Sequence, residues 1–162
     1  LVNQVYLHLK PHPTFVSDAM IKDVHDTTSF LLASDTPQVK SFGQRLENHI
    51  QRGSLVLSED YFWTSPLAFW EMPKAFKDEL AHTSLLVIKG DANYRRLLGD
   101  RHWDMTTNIA DIVCYLPVLM VALRTLKSEV AVGLKPEVVE ELVKSDSCWL
   151  TNGQWGVIQF VA

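Results

Sequence analysis

Apolar positions along this chain recur at two spacings, and the spacing changes several times. Val2, Val5, Leu7 and Leu9 fall at near-alternate places, the pattern of a strand. Lys10-Pro11-His12-Pro13 ends it, because neither proline can donate to a ladder. Ser17 or Asp18 is placed to cap the next helix. Ile21, Val24, Thr28 and Leu31 then follow at three- and four-residue steps, one face of that helix. Thr36-Pro37 opens a second helix, since proline suits the first helical position. Val39, Phe42, Leu46 and Ile50 carry its apolar face and Gly53 stops it.

Ser54 to Leu57 predicts a short strand, and Asp60 to Trp70 an aromatic loop. A short helix opens at Pro73 and runs through Phe76 and Leu80. Ser84 to Ile88 is an unbroken apolar run, which suits a strand buried on both faces of a parallel sheet. It leads into Lys89-Gly90-Asp91, then a short helix over Asn93 to Leu98 closed by Gly99. Val118 to Leu123 predicts another buried strand. Ser128 to Leu134 reads equally as helix or strand. Pro136 to Val143 predicts a helix, and Trp155 to Val161 a last strand. Strands alternating with helices predict a layered α/β fold.

Composition narrows the function classes. The chain has 162 residues, 47% hydrophobic and 21% charged, which suits one folded domain. No apolar run approaches the roughly 20 residues that span a bilayer. The net charge of −4 gives no general attraction to nucleic acid or to an acidic membrane. Cys114 and Cys148 are too few for a disulfide framework or a four-thiolate zinc site. Cys114 lies in an apolar run and is expected to be buried and inert. With no targeting signal in view, the expected compartment is the cytoplasm. The chain opens on Leu1 with a strand already under way, so it reads as part of a longer protein.

Two places carry candidate chemistry. In open α/β sheets, ligands bind beyond the carboxyl ends of the strands. Asp91 stands there, after Gly90, whose missing side chain allows a tight turn and close approach of a ligand. Its carboxylate could bind a hard cation or simply cap the helix that follows. Arg124-Thr125-Leu126-Lys127 follows the next buried strand. Its arginine could meet phosphate bidentately and its lysine as a point charge, or both could be solvated or salt-bridged. His8 and His12 are four apart, but Pro11 between them speaks against a helical zinc pair. Arg95, Arg96 and Arg101 suggest at most a local anion site. The aromatics from Tyr61 to Trp70 could stack on a sugar or base, or belong to the core. There is no glycine-rich nucleotide loop and no nucleophile elbow.

The block Lys89 to Trp103, KGDANYRRLLGDRHW, resembles the damage-control phosphatases, a family also described as acidic-residue methyltransferases. Its eukaryotic sugar-phosphate branch is the nearest. HLKPHPTFVSD at His8 to Asp18, RTLKSEVAVGL at Arg124 to Leu134 and WLTNGQWGVIQF at Trp149 to Phe160 agree with it, as does the aromatic segment YFWTSPLAFWEMP. The resemblance covers nearly the whole chain. It implies a three-layer α/β/α sandwich with a largely parallel, Rossmann-like sheet. It also implies a metal-dependent phosphatase of small phosphorylated metabolites such as hexose or pentose phosphates. A divalent cation, Mn, Co, Ni or Mg, would be held by an Asp-Asn pair and a later Asp, which Asp91 matches. Lys127 matches a lysine that holds the substrate phosphate. Asn93, Arg95 and Asp18 match motif positions near the active crevice.

The family's Asp-Asn pair lies upstream of the segment matching Val2 to Leu9, and this chain has no such pair there. Residues 1–162 are therefore expected to be the C-terminal portion of a single α/β phosphatase domain, with one metal ligand of three. The missing N-terminal segment could be a separate chain. A sheet without its upstream strands should leave an exposed edge and an apolar face. Two other functions compete. One is methyl transfer from S-adenosylmethionine to protein carboxylates, for which the chain offers no suitable glycine-rich loop. The other is a non-catalytic module that binds phosphate or a partner.

Overall fold

The computed structural model describes residues 2–13 and 18–162. The chain is a mixed α/β protein, as the alternation of periods predicts, and it divides into two compact units, Leu1–Ser65 and Pro66–Ala162.

In the first unit, β1 (Val5–Leu9) and β2 (Leu55–Glu59) pair in parallel, with Val5 opposite Leu55 and Leu9 opposite Glu59. Parallel neighbours need a long crossover. Here it contains two helices, α1 (Ile21–Leu32) and α2 (Pro37–Gln51). The expected cap moves: Met20 is the N-cap of α1, and its backbone N–H donates to Asp23 Oδ2 at 2.9 Å. Asp18 precedes that cap, and Ser17 lies outside the described residues. Gly43 of α2 is buried, and a Cβ there would meet Leu31 Cβ at 2.9 Å. The helix pair thus closes on a residue with no side chain, and Phe42 of the expected apolar face stays half exposed. Leu9, Phe62 and Trp63 are the buried hydrophobic residues described in this unit.

The second unit holds a three-stranded sheet in the order β3 (Leu86–Lys89), β4 (Met120–Thr125), β5 (Gly156–Val161). β3 and β4 run parallel, and β5 returns antiparallel to β4. α3 (Lys74–Ala81) precedes this sheet, α4 (Asp91–Leu97) and α5 (Ile109–Ile112) lie between β3 and β4, and α6 (Pro136–Ser145) lies between β4 and β5. Successive side chains on a strand point to opposite faces. Ile88, Met120, Ala122 and Arg124 share the buried face, and Tyr94 and Leu97 of α4 are buried with them. A further cluster of Leu126, Ala131, Leu142 and Trp149 holds α6 to the loop after β4.

The other face departs from the sequence reading. β3 is not buried on both sides: Val87 is 54% exposed, and Ile158 and Phe160 of β5 are 82% and 60% exposed. Val87, Val121 and Phe160 stand in one row of the ladder, with Leu123 and Ile158 in the next. A continuous apolar run marks a strand without saying how many of its faces are covered. Cys114 differs too. It sits in the turn after α5 and is exposed, because the chain reverses there before β4 begins. Ser128 to Leu134 is neither helix nor strand but an irregular loop.

Candidate functional site

The site is set by the register of two parallel strands. Lys89 at the end of β3 lies opposite Leu123 of β4, and the Gly90 N–H continues the ladder to Leu123 O at 3.0 Å. Gly90 then turns with φ of +100°, a conformation that glycine adopts without strain. The next residue, Asp91, starts α4 and so stands beside the continuation of β4.

Its partner there is Arg124, the penultimate residue of β4, whose side chain has 0% exposure against 22% for Asp91. Arg124 Nε donates to Asp91 Oδ1 at 2.9 Å, and Nη2 lies 2.8 Å from the same oxygen. Ser128 Oγ donates to that oxygen at 3.2 Å. The guanidinium also donates through Nη1 to Val130 O, and through Nη2 to Ser128 O at 3.1 Å and Ser128 Oγ at 2.7 Å. Its flat side stacks on the Tyr94 ring, 4.5 Å from the centroid, a favourable contact for a delocalised cation. The Tyr94 hydroxyl donates to Gln159 Oε1 at 2.7 Å, and Gln159 Nε2 donates to Val132 O at 2.6 Å. Burial pushes the Tyr94 hydroxyl above its ordinary range, so the ring stays neutral beside the cation.

The structure brings four of the five expected residues into this unit. Asp91, Asn93 and Arg95 lie on α4, and Lys127 is on the loop after β4, next to the Ser128 that touches Asp91. Asn93 Nδ2 donates back to Lys89 O at 2.9 Å, which ties α4 to the end of β3. Arg95 is held by Asp100, at 2.6 Å through Nε and 2.7 Å through Nη2. That bidentate pair keeps the Asp100 carboxyl below its usual range. Lys127 is exposed and makes no hydrogen bond or ion pair with the described residues. Asp18 lies in the Leu1–Ser65 unit, where it faces Lys10 Nζ at 3.4 Å.

Between the two alternatives for Arg124, the salt bridge is the one formed. Its parity was the available signal: Met120, Ala122 and Arg124 are alternate residues, so the arginine had to point where the methionine and alanine point. Ser128, Tyr94 and Gln159 carried no comparable mark. A divalent cation asks for several oxygen ligands. Among the described residues no three of His, Cys, Asp and Glu come together, and Asp91 Oδ1 is already engaged by Arg124. These residues alone do not make a metal centre.

The sequence profile of the damage-control phosphatase ARMT1-like domain matches residues 1–142. The chain belongs to this family. Damage-control phosphatase ARMT1 of Xenopus tropicalis is 36% identical over 163 residues, covering 98% of this chain and 37% of that protein. The proteins of the same name from Rattus norvegicus and Homo sapiens are each 34% identical over 164 residues, covering 99% of this chain and 37% of theirs. The chain thus spans about 37% of the length of these ARMT1 relatives. Asp91, Arg124 and Lys127 fall inside the matched ARMT1-like region, whereas Gln159 lies beyond residue 142 and inside the stretch shared with the rat and human relatives.

Proposed function

We propose that the protein carrying this chain is a metal-dependent phosphatase of small phosphorylated metabolites such as hexose or pentose phosphates, acting in the cytoplasm. The observation that carries this reading is Lys127, a solvent-facing cation on the loop whose Ser128 is tied to Asp91. Both segments leave the carboxyl ends of adjacent parallel strands, where ligands bind in sheets of this kind. Phosphoryl transfer needs little from a protein except positioning and charge stabilisation. Lys127 would offset the charge of the phosphoryl group as it transfers, with three donors on a flexible stem. Asp91 Oδ2 is the carboxylate oxygen that its bonds to Arg124 and Ser128 leave over, and it could add one ligand to a cation completed elsewhere. Such a cation would polarise the phosphoryl oxygens. The names of the relatives support phosphatase chemistry.

The test is phosphate release from hexose and pentose phosphates with Mn, Co, Ni or Mg, before and after chelation. Activity should vanish with the chelator and return with metal, and Lys127→Ala should raise KM by roughly tenfold or more. Absence of release with every metal and substrate would remove the proposal. The lack of a complete metal centre among the described residues favours one other reading for this chain by itself, a module that binds phosphate without turnover. Phosphate binding without release would select it.

A further inference from the structure

We infer that Arg124 is a positioning residue of the phosphate site: it fixes the loop that carries Lys127 against Asp91 and does not itself touch the anion. The inference rests on the phosphatase reading and assigns two neighbouring cations opposite tasks.

Arg124 has no exposed side-chain surface, and each of its three nitrogens is engaged. One face of the guanidinium is covered by Tyr94. An incoming phosphate would have to displace Asp91, Ser128 or the Val130 carbonyl to reach it. Lys127 is the reverse case, exposed and without a hydrogen bond or ion pair among the described residues.

The bonds from Arg124 fall on the loop in a pattern. It takes the carbonyls of Ser128 and Val130, and Gln159 takes the carbonyl of Val132. Three alternate carbonyls of an irregular loop are thus held by side chains, in place of the ladder they lack. The Gly133 and Leu134 N–H groups donate to Thr107 O at 2.8 Å and Met105 O at 2.9 Å, which anchors the far end. Lys127 stands at the near end of this pinned segment, one residue from the Ser128 hydroxyl that bridges Arg124 and Asp91. A planar guanidinium reaches acceptors on three sides at once. A lysine at position 124 keeps the charge but cannot reproduce that fork.

The experiment titrates inorganic phosphate into the wild type and into Arg124→Lys, Ser128→Ala and Lys127→Ala, each at a temperature where circular dichroism shows it folded. Calorimetry gives the dissociation constant. The NMR signal of the Arg124 Nε–H group is followed in the wild type. Lys127→Ala should lose binding. Arg124→Lys should bind roughly tenfold more weakly although its charge is unchanged, since small misplacement of a binding group is expensive. Ser128→Ala should weaken binding in the same direction, and the Arg124 signal should not move as phosphate is added. A purely structural role would reduce the folded fraction and leave the dissociation constant of folded molecules as it was. Wild-type affinity in Arg124→Lys, or a phosphate-dependent shift of the Arg124 signal, overturns the inference. If Arg124→Lys does not fold, wild-type affinity in Ser128→Ala overturns it. A wild type that neither binds nor releases phosphate removes the phosphatase reading, and the inference with it.

Discussion

At Asp91 a single carboxylate oxygen takes two contacts from Arg124 and one from Ser128, so removing this side chain does two things at once. Asp91→Ala takes away a candidate ligand, and it also leaves a guanidinium with no exposed surface beside an empty place. Breaking a buried pair from one side is far more damaging than the pair's own worth, because the remaining charge is stranded. Asp91→Ala should therefore lower stability by about 3 kcal/mol. Asp91→Asn keeps an oxygen to accept from Arg124 and should lower it by roughly 1 to 2 kcal/mol. Urea unfolding of the two variants reads the difference. Equal losses would mean that Arg124 finds another partner when Asp91 is gone. Activity lost in Asp91→Ala alone therefore says little about ligation, and Asp91→Asn is the variant that bears on it.

One element turns on a glycine that cannot be replaced cheaply. Gly99 follows α4 with φ of +68°, and a Cβ there would lie 1.7 Å from the Trp70 ring. Gly153 has φ of +75° with nothing within 4 Å. Gly153→Ala should lower stability by about 1 kcal/mol, the strain of the left-handed backbone alone. Gly99→Ala adds displacement of the indole, which places it roughly 1 to 3 kcal/mol beyond that, and thermal melts of the two compare them directly. The elements themselves were largely legible. α1, α2, β4, β5 and α6 lie where the apolar periods put them, with ends shifted by a few residues. What a period cannot report is the neighbour. The run at Ser84 to Ile88 predicted a strand correctly but not the bare side of Val87. The loop from Ser128 to Leu134 has apolar residues because it packs on α6, and no regular period follows from that. Asp91 and Lys127 could be singled out because each follows a strand. The bond from Tyr94 to Gln159 joins residues 65 positions apart, and no local pattern announces such a contact.

Across the second unit, the sheet has one packed face and one apolar face on which Val87, Ile158 and Phe160 are exposed and Val121 and Leu123 half-buried between them. Contiguous apolar surface of this kind marks an interaction site or an aggregation hazard. Among the described residues no helix is long and apolar enough to cross a membrane. Ile158→Lys should reduce light scattering and dye binding by the isolated chain. Its stability should change by no more than about 0.5 kcal/mol, as at other exposed positions. A larger loss would show that Ile158 is covered in solution.

The Arg124–Asp91 pair has a consequence for how this fold can vary over time. Neither residue can drift alone, because each single step leaves a charge or a row of carbonyls without its counterpart. Descent should carry the two together, and with them the spacing between β3 and β4, whatever happens to the exposed lysine three residues on. A lineage could retire Lys127 in one step, and with it the proposed phosphate site, yet keep the scaffold intact.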